Sequence, residues 1–223
     1  QEAAASGDGM VELTLDRAAG TLHLEGRWDE DRGRGRGTFT FAPDPAFARS
    51  LDELGFPRPD ADELLAAAVL DVDPEDARRL RGQGFDPDFD DLLAAAIFDI
   101  DEDFLDSLRS AGLAVTELDD ALAFRIHGVT PAFVREVEGW NVGPVDGDDL
   151  LALRIHGVDG ATLADARRIW DRSLDADDLV AMRIHDLDGA FLEAMEELEI
   201  HLEDVSQALA FRIHGIDADW IRE

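Results

Sequence analysis

The 223-residue chain contains no cysteine and no lysine, and no stretch of it approaches the roughly 18 apolar residues that a membrane span requires. The missing cysteine excludes disulfide frameworks, thiolate metal sites and thiol catalysis. The missing lysine makes every one of the 20 basic residues an arginine. Catalytic patterns are also missing: there is no phosphate-cradling glycine loop, no nucleophile placed with a base and no spaced set of metal ligands. Ser173 and Ser206, the serines that interrupt the repeats described below, fall at helix-start positions. The expectation is a protein without enzymatic activity, cofactor or bound metal.

What is abundant is acid. Asp and Glu number 52 and the formal net charge is -32, with the acids spread along the whole chain instead of forming one tail. Such a surface repels nucleic acid and anionic lipid, so neither a nucleic-acid partner nor membrane insertion is expected. Two explanations of the acidity compete: local cation binding, and adaptation to high salt, where charges are screened within a few ångströms. The surplus of Asp over Glu and the absence of Lys favour the second. A start at Gln1-Glu2-Ala3-Ala4-Ala5 without Met reads as a mature end left by removal of a secretory signal, implying a secreted or extracellular protein, or alternatively a periplasmic one.

The segments DVDPEDARRL, DIDEDFLDSL, GVTPAFVREV, GVDGATLADA, DLDGAFLEAM and GIDADWIRE align without gaps. Their second residues, Val72, Ile100, Val129, Val158, Leu187 and Ile216, are spaced by 28, 29, 29, 29 and 29, and Pro43 stands 29 before Val72. A period of this length is the mark of a repeat architecture. Each unit carries signals for two short helices. Helix A opens at an Asp, Thr or Pro, shows apolar pairs such as Phe133, Val134 and Val137, and stops at Gly55, Gly84, Gly112 or Gly139. Helix B, as in DDLLALRIHG, is apolar on most sides and is expected to be the more buried of the two. It ends in Arg-Ile-His-Gly at 125 to 128, 154 to 157 and 212 to 215, and in Arg-Ile-His-Asp at 183 to 186, where cations and glycine suit a helix C-terminus. In the first two units Ala68-Val69-Leu70-Asp71 and Ala96-Ile97-Phe98-Asp99 replace the motif, so its Arg and His are read as dispensable. Helices this short must stack on their neighbours. The fold class expected for residues 43–223 is therefore an α-solenoid of six to seven 29-residue two-helix repeats.

Ahead of the array the apolar period is two. Val11, Leu13 and Leu15 alternate with polar residues, as do Leu22 and Leu24, and Phe39 and Phe41. Residues 10–42 are expected to form a three-stranded antiparallel sheet, the last two strands joined by a Gly-rich loop from Asp29 to Gly37. The first helical repeat should cover its apolar face, making the sheet the cap of the array. Residues 1–9 stand outside it as an extension.

Three groups invite a site. His127, His156, His185 and His214 recur once per repeat, but repeats stacked about 8–10 Å apart cannot bring imidazoles onto one ion. The Asp-rich turns at 71–73, 99–103 and 186–188 lack the twelve-residue calcium-loop pattern and are placed to cap helices. Arg32, Arg34 and Arg36 alternate with glycine in the hairpin loop, where a basic loop could pair with the acidic body of another copy.

The wording ALAFRIHGVTPAFVREV and DDLLALRIHGVDGATL resembles the HGV-containing helical repeats of uncharacterised bacterial proteins, some of which follow membrane metallopeptidase domains of the β-lactam-sensor type. GRGTFTFAPDPAFARSLDELGF resembles the segment that precedes those repeats. The resemblance spans roughly residues 10–223 and implies a helical-repeat fold, with no activity or binding residues to carry over.

The last unit keeps an interior apolar pattern, with Phe211, Ile213, Ile216, Trp220 and Ile221. An open helical end, a sheet with free edges and one basic loop on an acidic body fit head-to-tail association with other copies into a filament. Arg32, Arg34, Arg36, Phe211, Ile216, Trp220 and Ile221 are the candidate interface. The alternative is a monomeric solenoid that binds another protein or a peptide.

Overall fold

The alternation around Val11 folds as a strand, β2 (Met10–Arg17), paired antiparallel with β3 (Gly20–Asp29), which pairs in turn with β4 (Arg34–Pro43). The computed structural model describes residues 2–6, 9–29, 31–170 and 174–222. Register places Leu15, Leu22 and Phe41 in one cross-strand row, Leu13, Leu24 and Phe39 in the next, and Val11, Gly26 and Gly37 in a third. Because side chains alternate across a pleat, these rows share one face.

Two expectations for this region need correction. Part of the 1–9 extension is a strand, β1 (Glu2–Ser6), which pairs antiparallel with β2 and makes the sheet four-stranded in the order β1-β2-β3-β4. Its Ala-rich composition gives little strand signal; the free backbone groups along the edge of β2 supply the reason to pair. The loop expected at Asp29 to Gly37 is much shorter, since β3 runs to Asp29 and β4 begins at Arg34. Glycine permits this: Gly26 lies opposite Gly37, and a Cβ on Gly37 would sit 2.1 Å from the carbonyl oxygen of Glu25.

Thirteen helices follow among the described residues. The helix A series is α1 (Pro45–Glu53), α3 (Pro74–Gly82), α5 (Glu102–Ser110), α7 (Pro131–Trp140), α9 (Gly160–Ile169), α11 (Gly189–Glu197) and the short α13 (Ala218–Arg222). The helix B series is α2 (Ala61–Leu70), α4 (Phe89–Ile97), α6 (Leu118–His127), α8 (Gly147–Ile155), α10 (Ala176–Ile184) and α12 (Val205–Ile213). Gly139, expected as a stop, lies inside α7; the left-handed residue that ends the helix is Asn141 at φ 50°.

The Asp surplus has a local use. Asp60, Asp73, Asp88, Asp146 and Asp175 each accept from a backbone N–H of the first helical turn, while a Glu or Asp three residues on returns a bond to the cap's own N–H. These reciprocal boxes satisfy amides that the helix leaves orphaned.

Helix B ends the same way in every unit. Val72, Ile100, Val129, Val158, Leu187 and Ile216 donate N–H to the carbonyls of Ala67, Ala95, Phe124, Leu153, Met182 and Phe211 at 2.8–2.9 Å. This six-to-one bond, with an apolar residue closing over the helix end, requires a left-handed residue just before it. That position is Gly128, Gly157 or Gly215 in three units and Asp71, Asp99 or Asp186 in the others, the aspartates at φ 60°, 51° and 53°. A left-handed Asp carries a steric cost that glycine escapes. Asp186→Gly is therefore expected to raise stability by about 0.5–1 kcal/mol in chemical denaturation; an unchanged or lower midpoint would refute the backbone reading.

The chain divides into two compact units, Gln1–Glu102 with Thr116–Leu118, and Asp103–Val115 with Asp119–Glu223. Within the first, α1 packs beside α3 and α2 beside α4, and α2 also lies against β3 and β4. Ala19 and Leu22 are buried there, the Asp44 amide donates to the Ala19 carbonyl at 3.0 Å, and Arg17 Nε meets Asp71 Oδ1 at 3.2 Å. The helical cover reaches only this end of the sheet. Within the second unit, α8, α10 and α12 are successive neighbours, as are α9, α11 and α13.

Candidate interaction site

The Arg of each Arg-Ile-His motif is tied to the preceding repeat. Arg154 Nε donates to the Gly128 carbonyl at 3.1 Å, Arg183 Nε to that of His156 at 3.4 Å, and Arg212 to those of His185 and Asp186 at 3.1 and 3.0 Å. The same guanidinium groups lie over helix A aromatics of the preceding unit: Arg125 over Phe104 at 4.7 Å, Arg154 over Phe133 at 4.0 Å and Arg212 over Phe191 at 5.0 Å. A parallel set joins helix A ends, with Arg81 donating to Leu54 O and Arg167 to Trp140 O. Only a planar fork of donors can bond a helix's last carbonyls and stack on a ring together. The motif's arginine is thus an inter-repeat staple as well as a helix-end cation in the units that have it, while α2 and α4, which lack it, pack side by side without it.

One repeat departs from this. Thr162 stands where the others have Phe104, Phe133 or Phe191, and a polar cavity of about 160 Å³ opens beside it, lined by Asp159, Arg183 and Asp186 among others. Asp159 caps α9 by accepting from the Thr162 and Ala161 amides and from the Thr162 hydroxyl. The Thr162 amide bond first, then the hydroxyl bond, the Ala161 amide and the charge of Arg183, hold its carboxyl below the ordinary value against the opposing effect of burial. A depressed carboxylate adds stability that is complete above the unfolded-state pKa and is lost as pH falls through the lower folded value. Asp159→Asn, which can still cap, should therefore be less stable than wild type at neutral pH, by an amount that solvent screening of the exposed carboxylate keeps small. The gap should close in acid; a pH-independent gap in urea midpoints would count against this.

Helix B proves less buried than expected. In α8, Leu150 and Leu153 are buried and Leu151 and Ala152 half-buried, while Ile155 is exposed. The same holds once per repeat: Val69, Ile97, Ile126, Ile155, Ile184 and Ile213 are each 51–63% exposed. The apolar excess of helix B therefore serves two faces, one packed and one open to water. In the second unit the open face runs from Ile126 through Ile155 and Ile184 to Ile213, over helices of which α8, α10 and α12 lie side by side. Two turns towards each helix N-terminus, exposed Asp119, Asp148 and Asp177 border it. Scattered surface isoleucines mean little, but here the exposure recurs at one position of each repeat.

A second apolar surface lies on the sheet beyond the reach of α2. Phe39 and Trp28, 55% and 48% exposed, flank a groove of about 320 Å³ over the glycines at 26, 35 and 37, while Arg27 and Arg36 pair across the strands in the alternate register, on the other face of the hairpin. An adjoining depression of about 700 Å³ gathers Arg27, Arg32, Arg34 and Arg36 around Trp28. The three arginines singled out from the sequence are thus together. Arg34 and Arg36 lie on β4 and Arg32 in the turn, where its Nε is 3.7 Å from Asp29 Oδ2. Arg27, their cross-strand neighbour, carried no alternating signal of its own. The apolar candidates fall on the other unit: Phe211 and Ile216 are half-buried about the end of α12, Ile221 is half-buried on α13, and Trp220 is 62% exposed. Trp220 holds the position of the stacking phenylalanines, and among the described residues no arginine lies over its ring.

His156, His185 and His214 are C-caps, and the carbonyls of His156 and His185 accept the arginines of the following repeat. No three His, Asp or Glu side chains among the described residues come together as a metal-holding group. In the Asp turns, the second aspartates Asp73 and Asp188 cap the next helix. Ser206 is the second residue of α12, and Ser173 lies outside the described residues. No helix among the described residues is long and apolar enough to cross a membrane.

No protein-family model matches the chain, and no curated protein or solved structure matches it either.

Proposed function

We propose that the chain is a non-catalytic structural protein, an α-solenoid subunit that associates head-to-tail with further copies of itself into a filament. The observation that carries this is the row of half-exposed isoleucines, one per repeat, on an acidic surface that otherwise repels its own kind. Leaving apolar area open at the same position of each unit costs solubility in every repeat, and covering it on association recovers the hydrophobic stabilisation. The uncovered sheet face lies on the other compact unit, so the two surfaces are distinct, and pairing unlike surfaces gives an open chain when the rotation does not close.

Sedimentation of the 24.4 kDa chain in molar salt, paired with electron microscopy, tests this. Large species and filaments are expected, and serine at 126, 155, 184 and 213 should dissolve them while leaving helical circular dichroism intact. A second reading, a monomeric solenoid that binds another protein or a peptide along the same row, is favoured by the once-per-repeat spacing, which suits an extended ligand. A chain that stays at the monomer mass at all concentrations would turn the assignment to that reading.

A further inference from the structure

We propose that the face formed by the end of α12 and by α13 accepts an apolar helix with an arginine in its last turn, brought by a partner protein. This contact is separate from the filament contact above and does not rest on it.

Each complete staple joins three parts. A ring on helix A lies 21 residues before the arginine that covers it, and the carbonyls which that arginine bonds, at the end of the helix B before, lie 26 or 27 residues back. Trp220 stands 29 residues after Phe191, so it is the next ring of the series, and the carbonyls of His214 and Gly215 are the next acceptors. Among the described residues neither carbonyl takes a hydrogen bond and no guanidinium lies over the indole. Burial differs in the same places. Phe124, Leu153 and Met182, whose carbonyls close their helix ends, are buried, as are the rings of Phe133 and Phe191. In the last repeat the matching Phe211 is only half-buried and Trp220 is 62% exposed.

The interface that runs from repeat to repeat therefore continues onto this face, and it fixes the chemistry of the occupant: a helix B, apolar toward the array, with an arginine where α8 has Arg154 and α12 has Arg212. Indole is the aromatic ring that attracts a guanidinium most strongly. The net charge of -32 draws in a basic helix end. A second copy has no such helix to give. Its Arg125, Arg154 and Arg212 lie on their own rings, Arg183 is held by the His156 carbonyl, and α2 and α4 have no basic residue in their last turns. The occupant is thus a helix that neither the described residues nor a second copy supplies.

The probe is a synthetic peptide with the sequence of residues 202–216, which carries Asp204 as cap, Arg212 as the staple and Ile216 as the closing residue. A lactam bridge on its outer face locks it as a helix, so that the cost of forming a short helix does not mask binding. It is titrated by calorimetry into the full chain, at a salt concentration where the chain keeps its helical circular dichroism. One-to-one binding is expected, with a fluorescence change that is present in wild type and absent in Trp220→Phe. Trp220→Ala should weaken binding about tenfold and Trp220→Phe by no more than about threefold, because phenylalanine serves in the other repeats. In the peptide, Arg212→Leu should also cost about tenfold, and Arg212→Lys should recover less than half of that loss.

Failure of the locked peptide to bind wild type would overturn the proposal. So would binding that Trp220→Ala and Arg212→Leu leave unchanged, which would put the peptide elsewhere on the chain. Because Trp220 is exposed, its replacement should leave circular dichroism and the urea midpoint as they are, so a loss of affinity reports the contact and not the fold. None of these results depends on whether the chain sediments as a monomer, so the self-assembly reading stands or falls separately.

Discussion

Replacing Leu153 with alanine is expected to cost the fold about 2–5 kcal/mol, the range for a large apolar side chain cut from a packed core. Serine at Ile155, two residues later on the same helix, should move the unfolding midpoint by no more than about 0.5 kcal/mol. Leu153 has 0% exposure, and its carbonyl accepts the Val158 amide that closes the helix end. Ile155 is 54% exposed. Both residues are aliphatic and both belong to helix B, so composition predicts similar effects. The contrast, read in urea titrations of the two variants beside wild type, separates the packed face from the open one. Comparable losses from both would mean that the isoleucine row is covered within the chain, which would remove the basis for any partner on that face.

The second large effect is expected at Arg154. Alanine there removes the bond to the Gly128 carbonyl and the stack on Phe133, and should destabilise by about 1–3 kcal/mol, tempered by the exposure of the side chain. Lysine should recover less than half. Its ammonium is a point charge that can approach the ring or the carbonyl but cannot lie flat on one while bonding the other. A double-mutant cycle with Phe133→Leu isolates the stacking part; full rescue by lysine would show that charge alone matters. The absence of lysine from the chain takes on a structural meaning here, because a chain whose repeats are joined by stacked guanidinium groups has no equivalent use for an amine.

The repeat period, the two helices of each unit and most of their caps are legible in the sequence because each is a local signal. Asp, Gly and Pro act within a turn of where they stand, and 29-residue spacing needs only counting. The three strands between Met10 and Pro43 are legible through strict alternation. What fails is whatever depends on a distant partner. Glu2–Ser6 becomes a strand because β2 has an edge to offer, which its own alanines do not announce. The glycines between Arg34 and Gly37 suggest a loop by composition, whereas their use is to let β4 approach β3. Arg154 looks like a helix-end cation, and its ring and carbonyl lie 21 and 26 residues back.

The exposure of the isoleucine row is hidden for a related reason. Leu150, Leu151, Leu153 and Ile155 occupy nearly all directions around α8, so periodicity cannot tell which of them faces a neighbour and which faces water. Of the candidate interface, the arginines are visible because they alternate with glycine in an acidic chain, and the row of isoleucines is masked because each sits inside a stop signal.

The staples also bear on how the chain folds and how it can change length. The stacking and hydrogen-bond partners that join helical units are 19 to 32 residues apart, from the Gln83 amide on Glu102 to the Trp170 indole on the Leu202 carbonyl at 3.1 Å. Each such contact closes a loop of about one unit, so the entropy of closure is the same modest quantity at each step and does not grow as units accumulate. Contacts of short sequence separation also form early and fast. A 29-residue insertion placed in register would meet a ready-made ring and carbonyl in front of it and offer the same behind it, lengthening the protein while replacing each contact it interrupts with an equivalent one.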